Sequence, residues 1–376
     1  MAPPPVVGRL ARALQARVGM ASNIPLLDRR KFLKLGGGIL ILSTFPIALP
    51  EKGIARPRNI GGLTPNAEFY VTPWRPVPIV DARAWTLKIH GLVERPITLT
   101  FDDVRQLPAI EETLTLECVS NPPNGQAIGN AKWTGIALRP LLERVGVKRN
   151  ATYAALRAVD GYYTGVPLED LMRPVNFMPY QMNGAPLPPP HGYPLRIFIP
   201  GKYGFKQPKW LTEIEFVDRP FIGYFEAQGW SNDGWRKVNS GLFYPDPGGQ
   251  VDPPYPARSS RLIMSVLDML SLTPVAAVKT PITIAGWALA GPAGIKRVLV
   301  SADDGSTWND AAVASDASPY VWSIWRYTFA PASPGEYILR VKAIDGNGVE
   351  QPANDRQLGA GLSRQARLRL DVDAVA

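Results

Sequence analysis

The sequence predicts a two-domain protein built mainly from strands, turns and loops, with an antiparallel β sandwich as the second domain. The length of 376 residues suits two domains that each bury a core. The 39 prolines disfavour long helices, because an interior proline removes a backbone donor and clashes with the preceding turn. A Pro- and Gly-rich segment at residues 246–259 predicts a linker, and short alternating strands follow it.

The positive charge of the chain is concentrated at its N-terminus. Residues 1–58 carry ten basic and two acidic side chains, a net charge of +8, which leaves +1 of the total +9 for the rest. A nearly neutral body lacks the excess basic surface of a nucleic-acid-binding protein. The sequence therefore predicts no nucleic-acid partner.

Residues 1–55 are typical of an export signal. Two arginines, Arg29 and Arg30, precede the weakly apolar run Leu35–Leu49, the pattern of a twin-arginine signal. This run is shorter than the roughly 20 residues that span a bilayer as a helix. We therefore expect the twin-arginine translocase as a partner and a periplasmic location; the alternative is a basic amphipathic helix. Because this pathway carries folded cargo, it also favours an enzyme with a complex cofactor.

A single cysteine restricts the chemistry. Cys118 has no second cysteine with which to form an intrachain disulfide. One cysteine and two histidines, His90 and His191, are too few for a four-ligand zinc site or an iron–sulfur cluster. The sequence also contains no P-loop, dinucleotide-binding glycine motif or serine-hydrolase elbow. Common nucleotide-binding and serine-hydrolase chemistries are thereby excluded.

The first predicted strands lead to Cys118. Trp85–Gly91 alternates apolar and polar residues, as a half-buried strand does, and places His90 on the solvent side. Thr100 and Asp103 predict a capped short helix that ends near Leu107, before a proline. Glu112–Cys118 alternates again and runs into a turn-rich loop. Cys118 at this strand end is either a small buried apolar residue or a metal ligand.

Four alternating segments after the linker predict the sandwich: Ile282–Trp287, Arg297–Ser301, Tyr320–Trp325 and Tyr337–Ala343. Asp-Gly pairs at Asp304 and Asp345 predict hairpin turns. Trp322 and Trp325, three apart on one predicted strand, should face opposite sides, so only one can fill the core. The other is then covered by a second copy of the chain, or by the linker or the first domain.

The mature chain resembles the sulfite oxidase family of molybdenum enzymes. The resemblance runs through several separate motifs in the same order, and the second domain is similar to that family's dimerisation domain. The motifs are Thr64–Tyr70, Leu114–Cys118, Ala127–Gly135, Tyr180–Gly184, His191–Arg196, Pro200-Gly201, Lys209–Leu211, Ile282–Gly286, Ser301–Trp308 and Ala343–Gly346.

This resemblance implies an α+β molybdopterin-binding domain of sulfite oxidase type, followed by an all-β immunoglobulin-like sandwich. The implied domains are the signal at 1–55, the molybdopterin-binding domain at 56–245, the linker at 246–259 and the dimerisation domain at 260–376. The implied cofactor is Mo-molybdopterin, whose dithiolene supplies two sulfur ligands and one protein cysteine the third. Cys118 is the matching ligand, and a homodimer is expected.

Six further residues match functional positions of the family. The resemblance assigns cofactor binding to His191, Arg196 and Lys209, and cationic side chains are natural partners for the phosphate at the end of the cofactor. It places Asn66 and Phe69 in the segment that covers the pterin. Trp230 stands where the family has an active-site tyrosine.

The substrate pocket departs from the animal and plant sulfite oxidases. Arginines of those enzymes correspond here to Thr72–Trp74 and to Pro122-Pro123, and Trp230 replaces the tyrosine. Sulfite is a dianion that fixed positive charge must hold. We therefore expect a less charged pocket, unless the cations Arg75, Lys132 and Arg236 point inward.

Three functions remain open from the sequence. The first is an exported molybdenum oxidoreductase that transfers an oxygen atom to or from a small substrate such as sulfite. Because the chain has no haem motif, its electrons would pass through a separate protein, a cytochrome being expected. The second is a periplasmic sulfoxide-type reductase of the same superfamily. The third is a non-catalytic exported protein that keeps the fold without the metal.

Overall fold

The described part of the chain folds mainly into strands. The computed structural model describes residues 62–242, 275–316, 318–355 and 360–373, so the predicted signal at 1–55 and linker at 246–259 lie outside the described residues. In these ranges no helix is long and apolar enough to cross a membrane. The helices are α1 (Phe101–Gln106), α2 (Leu138–Val145) and α3 (Leu168–Leu171), with single 3₁₀ turns at Pro189–His191, Gly204–Lys206, Glu226–Gln228 and Gly291–Ala293.

The strands before residue 218 form two sheets. A five-stranded sheet has the order β2-β1-β9-β5-β6, in which only β1 and β9 are parallel, and a four-stranded antiparallel sheet has the order β3-β4-β7-β8. With three short helices they make the predicted α+β domain. The strands are β1 (Thr86–Gly91), β2 (Ile97–Thr100), β3 (Ala109–Glu117), β4 (Ile128–Ala137), β5 (Tyr153–Ala158), β6 (Tyr163–Pro167), β7 (Phe177–Met182), β8 (Ala185–Pro186) and β9 (Leu211–Val217).

Local sequence signals account for several of these elements. Leu87 and Ile89 of β1 are fully buried, whereas His90 lies on the wetter face with its Nε2 2.6 Å from Glu213 Oε1. The predicted cap of α1 is present: the Asp103 amide donates to Thr100 Oγ1 (3.2 Å) and the Thr100 amide to Asp103 Oδ2 (2.8 Å). These predictions are confirmed.

The strands from residue 239 onward form the two sheets of the sandwich. One has the order β10-β12-β16-β15 and the other β11-β18-β17-β13-β14. β10 precedes the predicted linker and nevertheless pairs with β12 in the sandwich. The strands are β10 (Asn239–Leu242), β11 (Val275–Ala277), β12 (Ile282–Leu289), β13 (Ile295–Ser301), β14 (Asn309–Asp310), β15 (Ala312–Ala314), β16 (Ser323–Phe329), β17 (Gly335–Asp345) and β18 (Ala366–Asp373).

The two tryptophans of the sandwich are both covered within the chain. Trp325 is fully buried in the core between the sheets. Trp322 precedes β16, so the prediction of one strand through both residues is wrong at this point. It packs against Trp287 and Ile128, the latter in β4 of the first domain, and is 5% exposed. The alternative that the first domain covers the second tryptophan is therefore confirmed, and Trp322 gives no argument for a dimer.

Candidate active site

Cys118 directly follows β3, at the beginning of a loop. The pairing of β3 with β4 extends to Glu117 and Ile128, after which the Cys118 amide donates to Ala127 O (2.9 Å). The side chain is partly exposed, and its Sγ lies 3.3 Å from Ser120 Oγ. This is the strand-end position that the sequence predicts.

Asn66, Phe69 and His191 form one connected group. His191 Nε2 lies 3.1 Å from the backbone oxygen of Asn66, and the His191 ring packs edge-on against Phe69 at a centroid distance of 5.5 Å. The Asn66 side chain donates from Nδ2 to Met182 O (3.0 Å). Gly129 makes room for this group, since a Cβ there would lie 2.7 Å from the Phe69 ring. Segment 62–70 is thus held against β4, β7 and the 3₁₀ turn at His191.

Arg196 and Lys209 both lie close to Gly192. A Cβ on Gly192 would lie 3.1 Å from Arg196 Cβ and 3.2 Å from Lys209 Cβ, and its φ of +114° favours glycine. Arg196 donates from Nη1 to His191 O (3.0 Å), and Lys209 donates to Pro190 O (3.0 Å). The structure therefore brings together all five residues that the resemblance assigns to cofactor binding.

Arg196 is a buried cation with no carboxylate partner among the described residues. Its side chain is 3% exposed, its Nε has no hydrogen-bond partner, and the guanidinium carbon lies 4.7 Å from the centre of the Phe198 ring. Burial lowers its pKa to about 10. Burial and then the charge of Arg196 lower the pKa of Lys209 to about 8. An anion between these side chains would relieve both effects, so the site fits the phosphate end of a molybdopterin.

His191 is neutral at physiological pH. Burial, with smaller contributions from the charges of Arg196 and Lys209, lowers its pKa to about 4 against the hydrogen bond to Asn66. Because the Asn66 carbonyl only accepts, Nε2 carries the proton and the lone pair of Nδ1 stays free. His191 is thus an uncharged group that both holds the covering segment and can accept a hydrogen bond.

We expect acid to destabilise the cofactor-free protein through His191. The unfolded side chain titrates near pH 6.5 and the folded one near 4, so the unfolded state binds more protons between these values. Stability is lost as the pH falls from 6.5 to 4, by on the order of 3 kcal/mol. His191→Gln keeps a donor for Asn66 and should remove most of this dependence. Urea unfolding at pH 7 and pH 4.5 measures this loss of unfolding free energy. If the wild-type protein and His191→Gln lost the same amount between the two pH values, the assignment to His191 would be contradicted.

Three residues of the site were missed in the sequence. Burial, and then the charge on Cys118, raise the pKa of the Tyr70 hydroxyl well above its usual value, so Tyr70 remains a protonated donor near the cysteine. Asn183 donates to Thr64 O (2.9 Å) and Asn66 Oδ1 (2.8 Å). Glu117 is fully buried beside Cys118. All three lie inside motifs that carry the resemblance, although a strand-end glutamate has no sequence signal of burial.

Trp230 belongs to an aromatic wall formed by Trp74, Tyr162, Tyr224, Phe225, Phe205 and Trp230, in which neighbouring rings lie 4.8–6.4 Å apart. Phe205 packs with Val119, the residue after Cys118, and Trp230 packs on the same cluster. The wall therefore reaches the cysteine loop through Val119, and Trp230 is grouped with that loop rather than with His191 and Arg196.

The three cations considered for substrate binding, and a fourth nearby, each contact another side chain. Lys132 pairs with Glu111 (2.7 Å), and the Arg75 guanidinium stacks on Trp74, 4.3 Å from the ring centre. Arg236 is buried with its Nε 3.8 Å from Glu117 Oε2. Lys206, fully buried near the aromatic wall, is bonded to the carboxylate of Glu226. Lys132, Arg236 and Lys206 thus each lie beside a carboxylate, whereas the contact described for Arg75 is with an aromatic ring.

Two family models match the chain. Residues 74–225 match the family described as "Oxidoreductase molybdopterin binding domain". Residues 262–361 match that described as "Mo-co oxidoreductase dimerisation domain". The first match precedes the predicted linker and the second follows it, which is the domain order that the resemblance implies.

Similar proteins agree with these matches. The "Uncharacterized oxidoreductase YuiH" of Bacillus subtilis is 35% identical over 158 residues, which cover 42% of this chain and 78% of that protein. The sulfite oxidase of Arabidopsis thaliana is 28% identical over 340 residues, covering 78% of this chain and 83% of that protein. The solved sulfane dehydrogenase SoxCD of Paracoccus pantotrophus has the same fold, with a TM-score of 0.67, 22% identity and 85% of each chain covered.

Proposed function

Because the chain belongs to the sulfite oxidase family of molybdopterin-dependent oxidoreductases, we propose that it is an exported enzyme that transfers an oxygen atom and two electrons at a molybdenum centre ligated by Cys118. One observation carries the proposal: the only cysteine of the sequence and the buried Arg196, which has no carboxylate partner among the described residues, both lie within electrostatic range of Tyr70. A Cβ on Gly204 would lie 3.5 Å from the Tyr70 hydroxyl and 3.6 Å from the backbone oxygen of Glu117, the residue before Cys118, so this hydroxyl is close to the end of β3.

The residues of this site have separable roles. When bound, the molybdenum cofactor supplies oxygen-atom transfer and two-electron exchange. Cys118 would give the metal a soft sulfur ligand, and Arg196 and Lys209 would bind the anionic end of the cofactor. Tyr70, kept protonated by its surroundings, would be available as a hydrogen-bond donor on the cysteine side. The group of Asn66, Phe69 and His191 would cover the pterin and keep water from it.

Sulfite is the substrate that the resemblance implies. Because Lys132, Arg236 and Lys206 each lie beside a carboxylate, a neutral substrate, a sulfoxide, is the second candidate. A sulfoxide is neutral, and the apolar rings of the aromatic wall suit its organic substituents. Sulfite oxidation takes oxygen from water and releases two electrons and two protons. Sulfoxide reduction consumes two electrons and two protons and releases water. The first reaction therefore needs an artificial electron acceptor, and the second needs an artificial electron donor.

A comparison of the two activities in the purified holoenzyme tests this assignment. Sulfite oxidation is followed with an electron acceptor and methyl sulfoxide reduction with a reduced dye, each at two salt concentrations. With Lys132, Arg236 and Lys206 each beside a carboxylate, we expect the higher kcat/KM for the sulfoxide and little effect of salt. A higher kcat/KM for sulfite that falls with salt would favour the dianion. Absence of molybdenum from the purified protein would contradict both activities.

The remaining proposals concern partners and location. We propose that a cytochrome exchanges electrons with the molybdenum centre and that the twin-arginine translocase delivers the folded protein to the periplasm. Arg29, Arg30 and the apolar run after them support export. Rapid turnover of the purified enzyme with molecular oxygen alone would contradict the need for an electron-transfer protein.

We expect the mature protein to form a homodimer, because residues 262–361 match a dimerisation domain. Light scattering at micromolar concentration should give twice the monomer mass. A matched variant tests whether tryptophan packing contributes: Trp322→Phe changes a residue covered by the first domain and should leave the dimer intact. A monomeric wild-type protein would contradict the dimer.

A further inference from the structure

The last residues of β3 present one face to the C-terminal sandwich. Thr115 and Glu117 are 3% and 0% exposed, and Cys118 is the next residue. The Trp322 amide donates to Thr115 Oγ1 (2.9 Å), and the Thr115 amide donates to Tyr320 O (3.0 Å). The strand that leads to Cys118 is therefore hydrogen-bonded to the sandwich as well as to β4.

The Glu117 carboxyl connects this strand to the loop of Cys118. Its Oε1 accepts a hydrogen bond from Asn121 Nδ2 (3.1 Å). The Asn121 amide donates to Cys118 O (3.0 Å), and its Oδ1 accepts from the Ala127 amide (3.0 Å). Asn121 thus closes the turn on both sides, and the carboxyl of Glu117 holds Asn121.

The same carboxyl oxygen is held from the sandwich. Asn239 of β10 donates from Nδ2 to Glu117 Oε1 (2.7 Å), and its Oδ1 accepts from Gln351 Nε2 (2.9 Å). Gln351 Oε1 in turn accepts from the amide of Ala343 in β17, at 3.1 Å. Asn239 and Gln351 are 3% and 1% exposed, so no water competes for these groups. A continuous buried chain of hydrogen bonds runs from the second sheet of the sandwich to the cysteine loop.

We propose that the C-terminal sandwich positions the metal ligand: Asn239, held by Gln351, fixes Glu117, and Glu117 fixes the Asn121 turn that carries Cys118. These are positioning residues, since they act on the site through the loop. The inference rests on the proposed function, because Cys118 is the ligand there. It gives the dimerisation domain a second role within its own chain.

The test uses Asn239→Leu in the full-length holoprotein. Leu has the same branching at Cγ, although it is larger, and it removes all three hydrogen bonds of the side-chain amide: those with Glu117, with Gln351 and with the backbone amide of Ser240. We expect hydrogen exchange of the 118–127 peptide to become roughly tenfold faster, the effect of one lost buried hydrogen bond. We also expect the visible absorption of the bound molybdenum to shift, because the sulfur ligand is held less firmly.

The matched control is Ser363→Ala. Ser363 is equally buried at the same boundary and donates to the backbone oxygen of Val238, the residue before Asn239, without touching Glu117. It should lower Tm while leaving the exchange and the absorption unchanged. If Asn239→Leu lowers Tm but also leaves both unchanged, the chain of bonds is merely structural and the proposal is overturned.

Two further variants separate this proposal from the assignment of Cys118 as the metal ligand. If Asn239→Leu does not fold, Gln351→Met, one bond further from the loop, is judged by the same exchange and absorption criteria. If Cys118→Ser leaves the metal spectrum unchanged, the ligand assignment of the proposed function fails. Faster exchange at 118–127 in Asn239→Leu would then still support positioning of the loop by the sandwich, so the two failures are distinguishable.

Discussion

Replacement of Cys118 with serine should abolish turnover while the protein still folds. Serine has almost the same shape, and the partly exposed side chain contributes little to the core. A hydroxyl is a much harder donor than a thiolate and matches molybdenum poorly. Because loss of groups that merely support a metal ligand already costs 10- to 100-fold, we expect a loss of more than about 100-fold. Turnover with artificial electron carriers and the visible absorption of the metal measure it.

Ser120→Ala is the control for Cys118→Ser. It removes the hydroxyl 3.3 Å from Sγ but leaves the sulfur in place. We expect less than about a 100-fold decrease, as for a supporting group. Wild-type turnover in Cys118→Ser, together with an unchanged absorption spectrum, would refute the assignment of Cys118 as the ligand.

Arg196→Met should empty the site of cofactor with little effect on folding. The guanidinium bonds two carbonyl groups and no carboxylate among the described residues, so the lost hydrogen bonds and the removed cost of burying a charge roughly offset each other. We expect the free energy of unfolding of the cofactor-free protein to change by less than about 2 kcal/mol. Loss of a buried charged partner of an anion costs 2–5 kcal/mol, about 30- to several-thousand-fold in cofactor affinity. Molybdenum per chain and urea unfolding measure the two effects.

Arg236→Met is the contrasting variant. Arg236 is just as buried, but it lies 3.8 Å from the carboxylate of Glu117. Its removal leaves an uncompensated buried carboxyl, and we expect a loss of about 3–5 kcal/mol in the free energy of unfolding. If Arg196→Met instead destabilised the cofactor-free protein by the same amount, Arg196 would be a structural residue and its assignment to the cofactor would be contradicted.

The sequence predicted those strands and helix ends that are stabilised by interactions within the segment itself. The alternation of Trp85–Gly91 and the cap at Thr100 were sufficient, because burial of every second residue and a satisfied helix end are properties of the segment itself. The start of β16 was not predictable in this way. Trp322 has a strand-like pattern with Trp325, but its backbone amide donates to Thr115 of β3 instead of to a neighbouring sandwich strand.

The candidate site shows the same division. The resemblance brought forward Asn66, Phe69, His191, Arg196 and Lys209, and the structure places them in one cluster. Sequence alone could not show that Arg236 lies beside Glu117, since the two are more than a hundred residues apart and neither has a distinctive neighbour pattern. The direction of charged side chains is a tertiary property. It decides which cations remain for a substrate.

The placement of β10 has a consequence for dividing the protein. A division anywhere in the predicted linker at 246–259 separates β10 from β12, although the two are adjacent strands of one sheet, paired from Asn239 with Leu289 to Leu242 with Gly286. The N-terminal piece would carry an unpaired strand, and the C-terminal piece would lack an edge of its sheet. Such pieces suit reassembly by strand complementation, in which co-expressed halves recover the whole. Each half alone is prone to aggregate.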